Sequence, residues 1–168
     1  VIVSDRRVND KLIRAESANK VYEIDNHVIA SAAGILSDAR VLIERARLIS
    51  QQNRVTYDSP IDVEEVIREI ANTKQQFTQY GGARPFGVSL LFAGVDNTGS
   101  RLFMTDPTGI FCEFKATAIG EGEDELKEIL SKEYSDSTTL DQGLQLGVSA
   151  LKRVLGKEFN LDRIDAMF

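Results

Sequence analysis

Ten residues, Phe86-Gly87-Val88-Ser89-Leu90-Leu91-Phe92-Ala93-Gly94-Val95, run apolar almost without interruption. A strand with one wet face alternates in polarity; one that does not alternate must be covered on both faces. The chain offers two pairs of helices to do the covering. Ile35, Ala39, Leu42, Ala46, Ile49 and Asn53 recur in steps of four and three, which predicts a helix from Leu36 to about Asn53. Arg40 and Glu44 stand on its other face at ion-pair spacing. Pro60-Ile61-Asp62 opens a second helix, with Asp62 and Glu65 placed as a capping box. Its stripe is Val63, Val66, Ile67, Ile70, Lys74 and Phe77, and Gly81-Gly82 stops it. A short loop makes the two an antiparallel pair.

Strands flank that pair. Val1-Ile2-Val3-Ser4-Asp5 reads as the back half of one strand, and Val21–Ile24 with His27–Gly34 as a hairpin around an Asp25-Asn26 turn. After Phe86–Val95, Asp96-Asn97-Thr98-Gly99 turns into Arg101–Thr105, and Asp106-Pro107-Thr108-Gly109 fits a type I turn. Ile110–Phe114 and Thr117–Gly120 would complete a meander. Glu121–Glu133, with acids in its first turn, starts a second helix pair. Thr139 and Gln142 cap its other member, whose stripe of Leu140, Leu144, Val148, Leu151 and Leu155 ends at Gly156. Ile164–Phe168 reads as the start of a final strand, cut short. With no repeat and no linker, residues 1–168 are expected to be one domain. Each strand block can form antiparallel sheet and each helix pair needs a sheet to cover. The expectation is an α+β fold, a four-layer αββα sandwich of two antiparallel sheets flanked by helix pairs. One sheet with all four helices on one side would leave Phe86–Val95 half wet.

Composition removes several functions. Twenty basic against 26 acidic side chains give a net charge of −6, which argues against nucleic acid as a partner. One cysteine and one histidine cannot build a structural zinc site or an intrachain disulfide. No metal and no cofactor are expected. Cys112, in a strand-like run, is expected to be a small buried hydrophobe. No apolar run approaches the roughly 20 residues of a membrane helix, and the opening is too soon charged for a signal peptide. A cytoplasmic protein without a membrane partner is the expectation.

Among candidate chemistry, His27 lacks a Gly-x-Ser-x-Gly elbow and reads as a surface turn histidine. Gly120-Glu121-Gly122-Glu123-Asp124 resembles a phosphate loop only superficially, because its carboxylates would repel phosphate; a helix cap fits better. Tyr80-Gly81-Gly82-Ala83-Arg84-Pro85-Phe86-Gly87 either just ends a helix or places Arg84 at an interface. Lys20, opening a strand, is either solvated or functional. Asp5-Arg6-Arg7 is either a catalytic carboxylate with neighbours or a surface charge cluster. From the residues alone there is no self-sufficient active site.

Gly34-Ile35-Leu36-Ser37-Asp38-Ala39-Arg40-Val41-Leu42-Ile43 resembles the Gly-Leu-x-x-Asp-Ala-Arg-x-Leu segment of proteasome subunits. Gln75-Gln76-Phe77-Thr78-Gln79-Tyr80-Gly81-Gly82-Ala83-Arg84-Pro85-Phe86-Gly87-Val88-Ser89-Leu90-Leu91 is similar to the signature of the α type, as are Asp106–Gly109 and Lys115–Gly120. The resemblance covers essentially the whole chain and is nearest to archaeal α subunits. It implies the sandwich of the N-terminal-nucleophile hydrolase class and a proteolytically inert subunit. Seven such subunits would form an outer ring that scaffolds β subunits, gates entry of unfolded polypeptide substrates and docks ATPase activators by their C-terminal tails. Lys20 matches the family's pocket lysine for the tail carboxylate, and Gly34 and Ile35 match the Gly-Leu pair lining that pocket. The family's gating segment, first helix and first strand would precede Val1, and much of its C-terminal strand and helix would follow Phe168. The rival within the resemblance is a catalytic β-type subunit, an N-terminal threonine endopeptidase. Lys20 would then stand for the lysine that activates the nucleophile and Asp5 for its supporting carboxylate. Val1 opening the chain and the α-type signature weigh against it.

Overall fold

The computed structural model describes residues 1–6, 12–13 and 18–168. The apolar run becomes β4 (Val88–Asp96). It is the middle strand of a five-stranded antiparallel sheet with β2 (Val21–Asp25), β3 (Val28–Gly34), β5 (Gly99–Thr105) and β6 (Phe111–Glu113), in the order β2-β3-β4-β5-β6. Both of its faces are covered, as its sequence requires. Val88, Leu90 and Phe92 point into one apolar cluster, and Leu91 and Ala93 into another.

The first cluster lies under α1 (Leu36–Tyr57) and α2 (Val63–Gln79). Ala30 and Ala32 of β3 are small, so the helix side chains Leu42, Ile43, Val66, Ile67 and Ile70 reach the sheet and lose essentially all solvent contact. Burial of each large one contributes about 1.5–3 kcal/mol. Lys74 shares that face. Its ammonium donates to the carbonyls of Val88 (3.0 Å), Asp106 (3.2 Å) and Thr105 (3.3 Å), tying α2 to the ends of β4 and β5. Burial pushes this group down to about 8.

The second cluster, Ile2, Val21, Leu91 and Ala93, joins the large sheet to a two-stranded one. That sheet pairs β1 (Ile2–Asp5) with β7 (Ile164–Met167). On its far side lie α3 (Glu123–Glu133) and α4 (Leu140–Leu155), whose cluster centres on Ala118, Leu126 and Ala150. The layers therefore run helix, sheet, sheet, helix.

Several local expectations change. The strand blocks do not form separate sheets: the β2–β3 hairpin joins β4–β6, while β1 leaves its block to pair with β7. Thr117–Gly120 forms no strand; it is a connector whose Ala118 packs under α3 and α4 instead of joining a ladder. Cys112 is exposed, because β6 is an edge strand. His27 sits in the hairpin turn but is only partly exposed: its Nε2 lies 2.7 Å from the Ile61 carbonyl and holds the hairpin to the loop before α2. Asp62 makes no side-chain cap; Asp96 of β4 accepts from the Val63 amide at 3.2 Å instead. The Thr139–Gln142 capping box forms as expected. α1 runs one turn past Asn53 because nothing breaks it before Asp58, which adopts a left-handed conformation.

Candidate functional site

Lys20 is the residue before β2 and is half-buried. Val21 pairs with Ser31, so the register sets Lys20 across from the last residues of β3. Lys20 and Gly34 line one cleft of ≈ 1830 Å³, together with Asp5, Ala33, Leu36 and Ile119. Among the described residues Lys20 has no hydrogen-bond or ion-pair partner. The chain just before it is anchored, since Arg6 donates to the Asn19 side chain at 3.0 Å.

Asp5 ends β1, but its carboxylate is already taken. Arg163 donates to both oxygens, from Nε at 2.9 Å and from a terminal nitrogen at 2.6 Å. A forked arginine of this kind satisfies a carboxylate's charge and its in-plane lone pairs together. Asp5 and Lys20 line the same cleft without an ion pair between them.

Gly34 ends β3 with φ +121°, a conformation that side chains rarely adopt. A Cβ there would lie 2.5 Å from the Gly87 carbonyl oxygen. The Ile35 amide donates to that same oxygen at 2.9 Å. The end of the Ile35 side chain lies over the α-carbon of Gly87, where an added Cβ would meet Cδ1 at 2.6 Å. Ile35 is nonetheless partly exposed and does not line the cleft, where Leu36 takes its place.

Three residues on, Asp38 sits in the first turn of α1, where a carboxylate is favoured by the positive end of the helix dipole. Both of its oxygens accept from Arg84 at 2.7 Å, and one also accepts from the Gly87 amide at 2.9 Å. The hydrogen-bonded Arg84 guanidinium holds the Asp38 carboxyl below the usual carboxylate range. The Arg84 side chain remains 61% exposed, so its pairing within the chain leaves room for contacts outside it. Asp38 was not singled out from sequence. The one available signal was a rigid Gly-Gly-x-Arg-Pro turn, whose arginine needs an acid somewhere.

The two segments that carry the resemblance, Gly34–Ile43 and Tyr80–Gly87, are thus bonded to each other through Asp38, Arg84 and Gly87. A proteasome subunit profile matches residues 1–167. The chain belongs to the proteasome subunit family. It is 50% identical over 153 residues to proteasome subunit alpha of Methanocaldococcus jannaschii, covering 91% of this chain and 59% of that protein. It is 48% identical to the alpha subunit of Methanopyrus kandleri and 47% identical to that of Archaeoglobus fulgidus, each covering 98% of this chain and 67% of the relative. The chain therefore spans about three-fifths to two-thirds of the length of these curated relatives. Within the family it is of the α type, and the β-type reading is not favoured. No helix among the described residues is long and apolar enough to cross a membrane.

Proposed function

We propose that this α-type subunit builds the outer seven-membered ring of a cytoplasmic proteasome core particle. It scaffolds β subunits, gates the entry of unfolded polypeptide and docks the C-terminal tails of an ATPase activator, with no proteolysis of its own. The observation that carries this reading is the division of labour in one cleft. Asp5 is committed to Arg163, so it does not support Lys20 as a catalytic pair would require, while Lys20 and Gly34 line the cleft together. A cation without a described partner, in a cleft that Gly34 also lines, suits a carboxylate-terminated peptide. The surface of α1 supports assembly. Val41, Leu48 and Val55 are 49%, 51% and 88% exposed at seven-residue intervals, an apolar stripe on one helix face that calls for a partner.

Native mass spectrometry of the full-length protein, paired with a fluorogenic peptide assay, tests the reading. Rings of seven subunits without peptide turnover are expected. Turnover abolished by a threonine-directed inhibitor, or a protein that stays monomeric with and without β subunits, would overturn it.

A further inference from the structure

We propose that Asp38 and Arg84 are positioning residues of the docking site, setting its Gly34 wall, and the Ile35 turn behind that wall, through the single residue Gly87. The inference rests on the docking reading above. It stands on four contacts that converge on one residue, Gly87. The Gly87 amide donates to Asp38 at 2.9 Å, and the Gly87 carbonyl accepts from the Ile35 amide at 2.9 Å. Gly34 packs so closely that a Cβ would come within 2.5 Å of that carbonyl. The Ile35 side chain covers the remaining face of Gly87. The wall of the site is therefore shaped against Gly87, and Gly87 is held by the Asp38 carboxylate.

Asp38 is only 7% exposed, so the carboxylate needs its charge answered. Arg84 answers it with both terminal nitrogens, at 2.7 Å each, and also donates to the Pro85 carbonyl at 3.0 Å. That last bond fixes the turn leading into Gly87. Lysine at position 84 would keep the charge but lose the fork, since a point-like ammonium cannot hold both oxygens in plane. The loop Tyr80–Pro85 and the start of α1 are consequently one mechanical unit, although 46 residues separate the paired acid and base. Neither Asp38 nor Arg84 lines the cleft, so their influence on a docked tail passes through the backbone of Gly34 and Ile35.

The test uses core particles assembled from full-length α and β subunits. The probe is a labelled peptide copying the C-terminal tail of a hexameric ATPase with its free carboxylate, and its affinity is read by fluorescence anisotropy. Asp38→Ala and Arg84→Ala are expected to weaken the peptide roughly tenfold, as for directly coupled neighbours, and Arg84→Lys to recover part of the loss. Amide exchange at Ile35 should accelerate in the same variants, which gives a readout even where Asp38→Ala assembles poorly and Asp38→Asn replaces it. Lys20→Ala is run alongside. If Lys20→Ala loses the peptide while the Asp38 and Arg84 variants bind like the parent, the positioning role is overturned and the docking reading stands. If Lys20→Ala also binds like the parent, the docking reading fails and takes this inference with it. If a variant of matched melting temperature outside the cleft, such as Ile129→Ala, weakens the peptide equally, Asp38 is a stability residue only and the proposal is overturned.

Discussion

The two helix pairs do the same architectural job with different thoroughness. Under α1 and α2 lies a sheet five strands wide, and Leu42, Val63, Val66, Ile67 and Ile70 lose all solvent contact against it. Under α3 and α4 the described sheet is two strands wide. There Leu144, Val148 and Leu151 stay partly exposed, Leu140 is 51% exposed, and only Leu126 and Ala150 of the two helices are buried. Both pairs are amphipathic with good apolar stripes, so the difference does not come from the helices. Within residues 1–168 it follows the sheet area each stripe meets: an apolar stripe states a demand for burial, and the partner surface present in this span decides how much is met. The Lys20 cleft lies on the less completely filled side, and the Asp38–Arg84 pair at the edge of the tightly packed one.

Substitutions can sharpen that contrast. Leu42→Ala should have the largest effect, about 3–4 kcal/mol by chemical denaturation, since a fully buried leucine leaves a cavity in a layer that cannot collapse. A loss below about 1 kcal/mol would show that the upper layer is as loose as the lower. Lys74→Met comes next. Three carbonyls lose their donor, which costs about 1–3 kcal/mol.

The Lys74 variant also carries a pH signature. Folding lowers the lysine from 10.5 to about 8, so between those values the unfolded chain binds more protons than the folded one. This group therefore makes the folded state more favourable as pH rises through that window, and its charge opposes folding below it. The stability gap between parent and Lys74→Met should widen in the parent's favour from pH 8 towards pH 10. A gap that narrows would contradict the burial of a titrating ammonium. Leu151→Ala should have the smallest effect, about 1–1.5 kcal/mol, because a half-exposed leucine loses less on truncation. Equal losses for Leu42→Ala and Leu151→Ala would erase the comparison.

Periodicity found the helices and most of the strands, because it reports local geometry and one-sided burial. It could not find partners. The apolar run at Phe86–Val95 announced two covered faces, yet nothing in β1 announced that it would leave the β2–β3 hairpin for β7, a pairing across more than 150 residues. Cys112 matched the period of a buried strand residue but falls on an edge strand. Asp62 carried the local signature of a cap, and Asp96 from a distant strand took the role. The site was legible in a different way. Lys20, Gly34 and Ile35 came from the resemblance and not from any pattern of charge or spacing. Asp38 lay inside the same segment unmarked, because an acid in a helix's first turn is ordinary until its arginine arrives from 46 residues away.

The most direct test of the docking account is ATPase-stimulated degradation of a folded substrate by full core particles carrying Lys20→Ala, measured beside their thermal melt. A charge-assisted bond to a tail carboxylate contributes roughly 1.5–3 kcal/mol, or about tenfold to a hundredfold in affinity per tail, compounded when several tails engage one ring. The account predicts that stimulation is lost, with a stability cost below about 1 kcal/mol for a half-buried lysine that has no described partner. Unchanged stimulation with an unchanged melt would make Lys20 an ordinary solvated lysine and contradict the account.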